Sequence, residues 1–216
     1  MGKTSYYTYR LTRLFPPDDE YAATMARLCI LWEDFITEAT GGAATSIKEM
    51  DGHSAQWRRL YFLRRSIGTV HEIREAFRCL SALDEFREAL SRQPQQDREN
   101  YVQSYRKLRK HEKQISQLRN AIGGGHVDQS AVKDGLAAVN TDTVGMLQKG
   151  EIYRDIRFKF AHPIVLEVLF KDSEEAEGDK QIEELTNFMH EAVSNALKMI
   201  EFSFRIYVRE RGVTPL

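Results

Sequence analysis

The sequence predicts an all-α fold, an antiparallel bundle of about four to five main helices. Long stretches repeat apolar residues in steps of three and four, the period of a helix with one buried side. Short turn-forming stretches such as Gly41-Gly42 and Gln93-Pro94-Gln95 separate them, as between antiparallel neighbours in a bundle. The loosely alternating stretch Glu151 to Phe160 has no strong partner strand nearby. It is expected to be a short strand or an extended connector.

Residues 1–17 are polar and aromatic and end in Phe15-Pro16-Pro17, which predicts an extended arm. Residues 18–216 are expected to form a single helical domain. Asp18-Asp19-Glu20 places acids at the positive end of a first helix, whose stripe is Tyr21, Met25, Leu28, Trp32 and Phe35, ending near Thr40. A second helix is expected from Ser54 to Ser91, with Leu60, Leu63, Ile67, Val70, Ile73, Phe77, Leu80, Leu83, Phe86 and Leu90 along one side. Arg58, Arg59, Arg64 and Arg65 cluster near its start, and His71 sits at the edge of its stripe. A third helix is expected from Asp97 to Ile122, on the row Tyr101, Tyr105, Leu108, Ile115, Leu118 and Ile122, with His111 on that row. Arg106, Lys107, Arg109, Lys110 and Lys113 fall largely on its outer side. That face is either solvated or suited to an RNA backbone, with Arg106, Arg109, Lys110 and Lys113 as candidate contacts. Short helical turns are expected over 129–139 and 144–148. Pro163 suits the first turn of another helix, over 164–170. The last helix should run from Lys180 to Arg209, on Ile182, Leu185, Met189, Val193, Ala196, Ile200, Phe204 and Tyr207.

Composition excludes several classes. A chain of 216 residues is one or at most two domains. Apolar residues make up 42% and charged residues 29%, as in a globular protein. A net charge of −1 gives no global basic field of the kind a duplex-DNA binder carries. Cys29 and Cys79 lie inside apolar helical patterns and read as buried thiols, not a disulfide scaffold. No run approaches the ~20 apolar residues of a membrane span, and the first residues do not resemble a signal peptide. The expectation is a cytoplasmic protein with no membrane association. Gly2-Lys3-Thr4 lacks the glycine-rich stretch of a P-loop. His71-Glu72 and His111-Glu112 begin a zinc-helix pattern but lack its second histidine. There is no cysteine pair for zinc and no Gly-x-Ser-x-Gly elbow. His126 and Asp128 are two ligands, too few for a metal site. No metal or cofactor is expected.

The stretch that concentrates chemistry is Leu118-Arg119-Asn120-Ala121-Ile122-Gly123-Gly124-Gly125-His126. An arginine holds phosphate by charge and by a planar fork of donors. A histidine near neutral pH moves a proton. On a straight helix, residues seven apart are separated by about 10 Å along the axis. Glycines let the chain fold back and shorten that distance. The same residues also suit a plain helix terminus, with glycine past the end and cations on the negative pole. On physical chemistry alone, the terminus is the commoner arrangement.

Arg119, Asn120 directly after it, and His126 resemble the motif of the HEPN superfamily. That motif is an arginine, four to six residues, then a histidine, often with a polar residue after the arginine. A second, poorer match is Arg157-Phe158-Lys159-Phe160-Ala161-His162, with Phe158 in the polar position. The resemblance rests on the motif and an all-helical context over the central and C-terminal part of the chain. It implies a HEPN-like bundle and metal-independent RNA cleavage in a prokaryotic defence or toxin–antitoxin system. In that chemistry Arg119 holds the scissile phosphate, His126 moves the proton, and Asn120 orients one of the two. Arg157 and His162 are the alternative catalytic pair. The resemblance further implies RNA as substrate, a homodimer, and an antitoxin protein as partner. The rival reading is a catalytically inactive helical module that binds a nucleotide, a nucleic acid or a protein.

Overall fold

A computed structural model describes residues 8–43, 52–110, 112–121, 129–138, 147–148, 157–158, 164–165 and 178–214. The fold is all-α. The helices are α1 (Leu11–Leu14), α2 (Glu20–Ala43), α3 (Gly52–Ala82), α4 (Asp84–Ser91), α5 (Gln95–Lys110), α6 (Glu112–Ala121), α7 (Gln129–Ala138) and α8 (Gly178–Glu210). Two short strands, β1 (Leu147–Gln148) and β2 (Arg157–Phe158), pair antiparallel, Leu147 opposite Phe158 and Gln148 opposite Arg157. Contacts gather into two compact units. The first is Met1–Phe35, Glu72–His111 and Glu191–Leu216; the second is Ile36–His71 and Glu112–His190.

The first unit is held by aromatic side chains that the helical period delivers to one interior. The Asp19 carboxylate accepts the Ala22 N–H at 2.9 Å and so caps α2. Tyr21, Met25 and Leu28 from α2 are buried with Phe77 and Leu80 from α3, Phe86 from α4, Leu108 from α5, and Met199 and Tyr207 from α8. Tyr101 on α5 is their hub, with ring centroids 6.4 Å from Phe77, 5.7 Å from Phe86 and 5.8 Å from Phe202. Burial pushes its phenol pKa up. Near the C-terminus, Tyr207 meets Tyr21 edge-on at 4.9 Å and its hydroxyl donates to the Leu14 carbonyl. Arg211 pairs with Asp19 and, at 3.3 Å, with Glu85, while lying over the rings of Tyr21 and Tyr207.

The second unit buries Leu60, Ile67 and Val70 from α3, Ile115 and Leu118 from α6, Val165, and Met189 from α8. Gly41 on α2 lets the Phe62 ring reach the helix backbone. A Cβ there would lie 2.4 Å from Phe62 Cζ. Glu38 is buried nearby and accepts the Thr69 hydroxyl at 3.0 Å, with Arg65 Nε at 3.7 Å.

Several expectations change. The arm over 1–17 is not extended where it is described. Leu14 N–H reaches the Arg10 carbonyl at 2.9 Å and closes a helical turn that buries Leu14. The second helix is two, because Leu83 is extended (φ −75°, ψ 125°) and Asp84 and Glu85 open a new first turn. That break rephases the chain, so that Phe86 and Ala89 point inward while Leu83 and Leu90 are only half-buried. The expected third helix is helical over its described residues, as α5 and α6, and His111 between them lies outside the described residues. Leu147–Gln148 is a strand instead of a helical turn. Its partner is β2, inside the stretch expected to be a strand or connector. Glycines at 145 and 150 on either side disfavour a helix there. Past residue 165, the helix expected after Pro163 lies outside the described residues. Cys29 and Cys79 are free thiols and half-buried, not buried. Burial, then the nearby Glu33 carboxylate, pushes the Cys29 pKa up to about 11.

Replacing Tyr207 by Phe removes the donor to the Leu14 carbonyl and leaves that buried acceptor unmatched. The expected loss is about 1–2 kcal/mol in urea unfolding, with an unchanged helical signal before the transition. Glu75 gives a pH-dependent counterpart. Arg78 Nε donates to it at 2.9 Å and Arg74 Nη2 at 3.2 Å, and these bonds, Arg78 first, hold its carboxyl below the ordinary 4.5. A depressed carboxyl stabilises the fold above its unfolded pKa and loses that contribution as pH falls through the folded pKa. Glu75→Gln should therefore be less stable than wild type at pH 7. The gap should close as pH drops below about 4.5, read from unfolding midpoints across pH 7 to 3.

Candidate functional site

In α6, Ile115 and Leu118 are buried on one side of a short helix. Arg119 follows Leu118 in the last turn and is half-buried, while Asn120 is exposed. Its guanidinium Nη1 lies 3.4 Å from Asn120 Oδ1, a long contact. Among the described residues no carboxylate is within ion-pair distance of Arg119. The structure thus brings Arg119 and Asn120 together. His126 lies outside the described residues, as does His162, so neither arginine–histidine pair is described as a whole. Arg157 is on β2, opposite Gln148.

The basic residues predicted to meet RNA are exposed where their side chains are described. Arg106 and Arg109 are exposed on α5, and Lys113 on α6; the side chain of Lys110 is outside the described residues. Lys107 is exposed too and faces Glu191 at 3.8 Å. A groove of about 420 Å³ runs between α5 and α8 in the first unit, lined in part by Asn100, Ser104, Lys107, Lys198, Phe202 and Arg205. Its cations are largely matched, since Arg205 also holds Glu201 at 3.5 Å. Such a groove is less suited to a polyanion than a site with unmatched positive charge.

The second unit holds such a charge, at a position noted from the sequence only as one of a cluster of arginines. Arg64 on α3 is only 7% exposed. It takes the inward position between Leu60 and Ile67, while Leu63 is half-buried. Its guanidinium lies over the Trp57 ring, 5.3 Å from the centroid, and its Nε has no hydrogen-bond partner. Among the described residues it has no carboxylate partner. Buried Arg74, by contrast, meets Glu75 at 3.2 Å. Burial lowers the Arg64 pKa, with the Tyr61 phenol acting the other way. Arginine nevertheless keeps its proton. A desolvated cation–π contact returns about 2 kcal/mol, against several for desolvating a lone ion. Of the Arg64 nitrogens only Nε is both buried and unpartnered, so removing the charge measures which of these two effects is larger. A signal for it was present, because Trp57-Arg58-Arg59-Leu60-Tyr61-Phe62-Leu63-Arg64-Arg65 interleaves arginines with aromatics and contains no acid.

Among the described residues no group of histidine, cysteine and acidic side chains could hold a metal ion, and no helix is long and apolar enough to cross a membrane. The chain matches no family model, no curated protein and no solved structure.

If Arg64 is a net cost, Arg64→Met should keep the apolar stem, remove the charge and raise stability by about 1 kcal/mol or more. A lower urea midpoint for the variant would show that the guanidinium is needed for packing.

Proposed function

We propose that the chain is a HEPN-like helical protein that cleaves RNA without a metal, through Arg119, Asn120 and His126. The observation that supports this reading is Arg119 itself. It sits half-buried at the end of α6 with Asn120 as its near neighbour, and among the described residues no carboxylate neutralises it. A guanidinium in that state is available to a phosphate oxygen. In the proposed reaction the ribose 2′-oxygen attacks the adjacent phosphorus and the bond to the 5′-oxygen breaks. The products are a 2′,3′-cyclic phosphate and a 5′-hydroxyl. Arg119 offsets the charge that grows on the phosphate. His126 takes the proton from the 2′-hydroxyl or gives one to the leaving oxygen. Asn120 orients the guanidinium.

The same reading carries the wider setting: a cytoplasmic enzyme of a prokaryotic defence or toxin–antitoxin system, acting as a homodimer and restrained by an antitoxin protein. The match at Arg157 and His162 is the competing location for the site.

The test is cleavage of RNA by purified protein in the presence of EDTA. His126→Ala should lower the rate by about 10²- to 10⁴-fold, and Arg119→Ala by about 10²- to 10³-fold. His162→Ala should leave it unchanged. Loss only in His162→Ala would move the site to residues 157–162. No cleavage of any RNA by folded wild type would favour the inactive binding module.

A further inference from the structure

We propose that the start of α3, Trp57 to Arg65, binds single-stranded nucleic acid, with aromatic rings stacking on bases and arginines taking the phosphates. This extends the RNA reading above but does not depend on the chemistry at Arg119. The segment holds four arginines, the exposed ring of Tyr61, the half-buried ring of Trp57, and no acid. Helical spacing puts Trp57, Tyr61 and Arg64 on one side, since positions four and seven apart overlie one another; Arg65, next to them, already faces Glu38 at 3.7 Å. Tyr61 is 42% exposed, and Trp57 is half-buried. Large exposed rings beside cations form the surface on which unpaired bases stack.

The charges call for the same ligand. Arg64 is buried without a carboxylate among the described residues, and its Nε is unmatched. Arg58 Nε donates at 3.1 Å to the Gly41 carbonyl, which leaves its charge unneutralised, and its guanidinium lies over Phe62. A buried or half-buried cation of this kind is relieved by an incoming anion. A phosphodiester strand supplies anions at successive positions and a base beside each one. A duplex does not, because its bases are already stacked on one another. An acidic peptide would bring the anion but leave the rings of Trp57 and Tyr61 without stacking partners.

Phe62 does not belong to the binding surface. Its ring packs on Gly41 and fixes α3 against the end of α2 within this unit, so the platform is anchored by a side chain that need not move.

The experiment is fluorescence anisotropy of a labelled 2′-O-methyl uridine decamer with the full chain. The decamer has no 2′-hydroxyl to attack, so binding is read independently of cleavage. Tyr61→Ala and Arg64→Met should each weaken binding by about tenfold. Arg64→Met should also reduce the slope of log affinity against log salt by about 0.7, the value of one phosphate contact on a single strand. Thermal midpoints taken on the same samples should be no lower for Arg64→Met than for wild type. Wild-type affinity in both variants would overturn the proposal. So would a duplex of equal length binding as tightly as the single strand, or an acidic peptide or inorganic phosphate competing as well as the decamer at equal charge. Lys133→Ala, at an exposed cation on α7, should bind the decamer within about threefold of wild type, so that loss of this surface is distinguished from loss of any positive charge.

Discussion

Tyr207 joins parts of the first unit that are far apart in sequence. Its ring is fully buried, meets Tyr21 edge-on and stacks on Phe15 at 5.9 Å. Its hydroxyl reaches the Leu14 carbonyl across 193 positions of chain. Closing so long a loop has an entropic cost that grows slowly with length, and one hydrogen bond cannot offset it alone. The rings carry most of the gain, through buried area and edge-to-face contact. Arg211, one turn further on, lies over both Tyr21 and Tyr207 while its charge goes to Asp19 and Glu85. Asp19 in turn caps α2. The last turn of α8 therefore fixes where α2 begins and keeps residues 11–15 on the core.

The helices were legible because burial follows their period. Met25, Leu28, Ile67, Ile73, Phe77, Met189 and Ile200 all fall on expected rows, and all are buried. The break at Leu83 was not legible. It contains neither glycine nor proline, and a local pattern reads straight through it. The gain that favours the break is tertiary, the inward turn of Phe86 against Tyr21 and Tyr101. Leu11–Leu14 was missed for the opposite reason. A single turn carries too few apolar positions to show a period, and its stability comes from Tyr207, far away in sequence.

The candidate site was legible in part. Arg119 and Asn120 are visible as a motif, and the structure adds their contact and the lack of a described carboxylate partner. Arg64 was harder to see. An arginine beside another arginine reads as a solvated face, whatever the helical phase says. In the structure the phase wins: Arg64 takes the inward position between Leu60 and Ile67, and Trp57 covers it. Chemical type is a good guide to burial only while the side chain has water as an alternative. Under an aromatic ring the aliphatic stem packs like a core residue and only the guanidinium pays a penalty.

Net charge and local charge lead to different conclusions about partners. At −1 overall, the protein exerts no long-range attraction on a nucleic acid. The attraction proposed above must act at contact distance, where matched and unmatched cations differ most. Lys107 and Arg205 have carboxylates near them, so a phosphate arriving there would compete with a pair already formed. Arg64 and Arg58 have none among the described residues, so a phosphate arriving there adds a contact without breaking one. Arg119 is in the same state. Burial strengthens this distinction, because a low local dielectric enlarges both the cost of a lone charge and the gain from satisfying it. The proposed binding of a polyanion by a chain of nearly balanced charge therefore rests on a few guanidiniums that meet no carboxylate among the described residues, in α6 and in the part of α3 that belongs to the second unit.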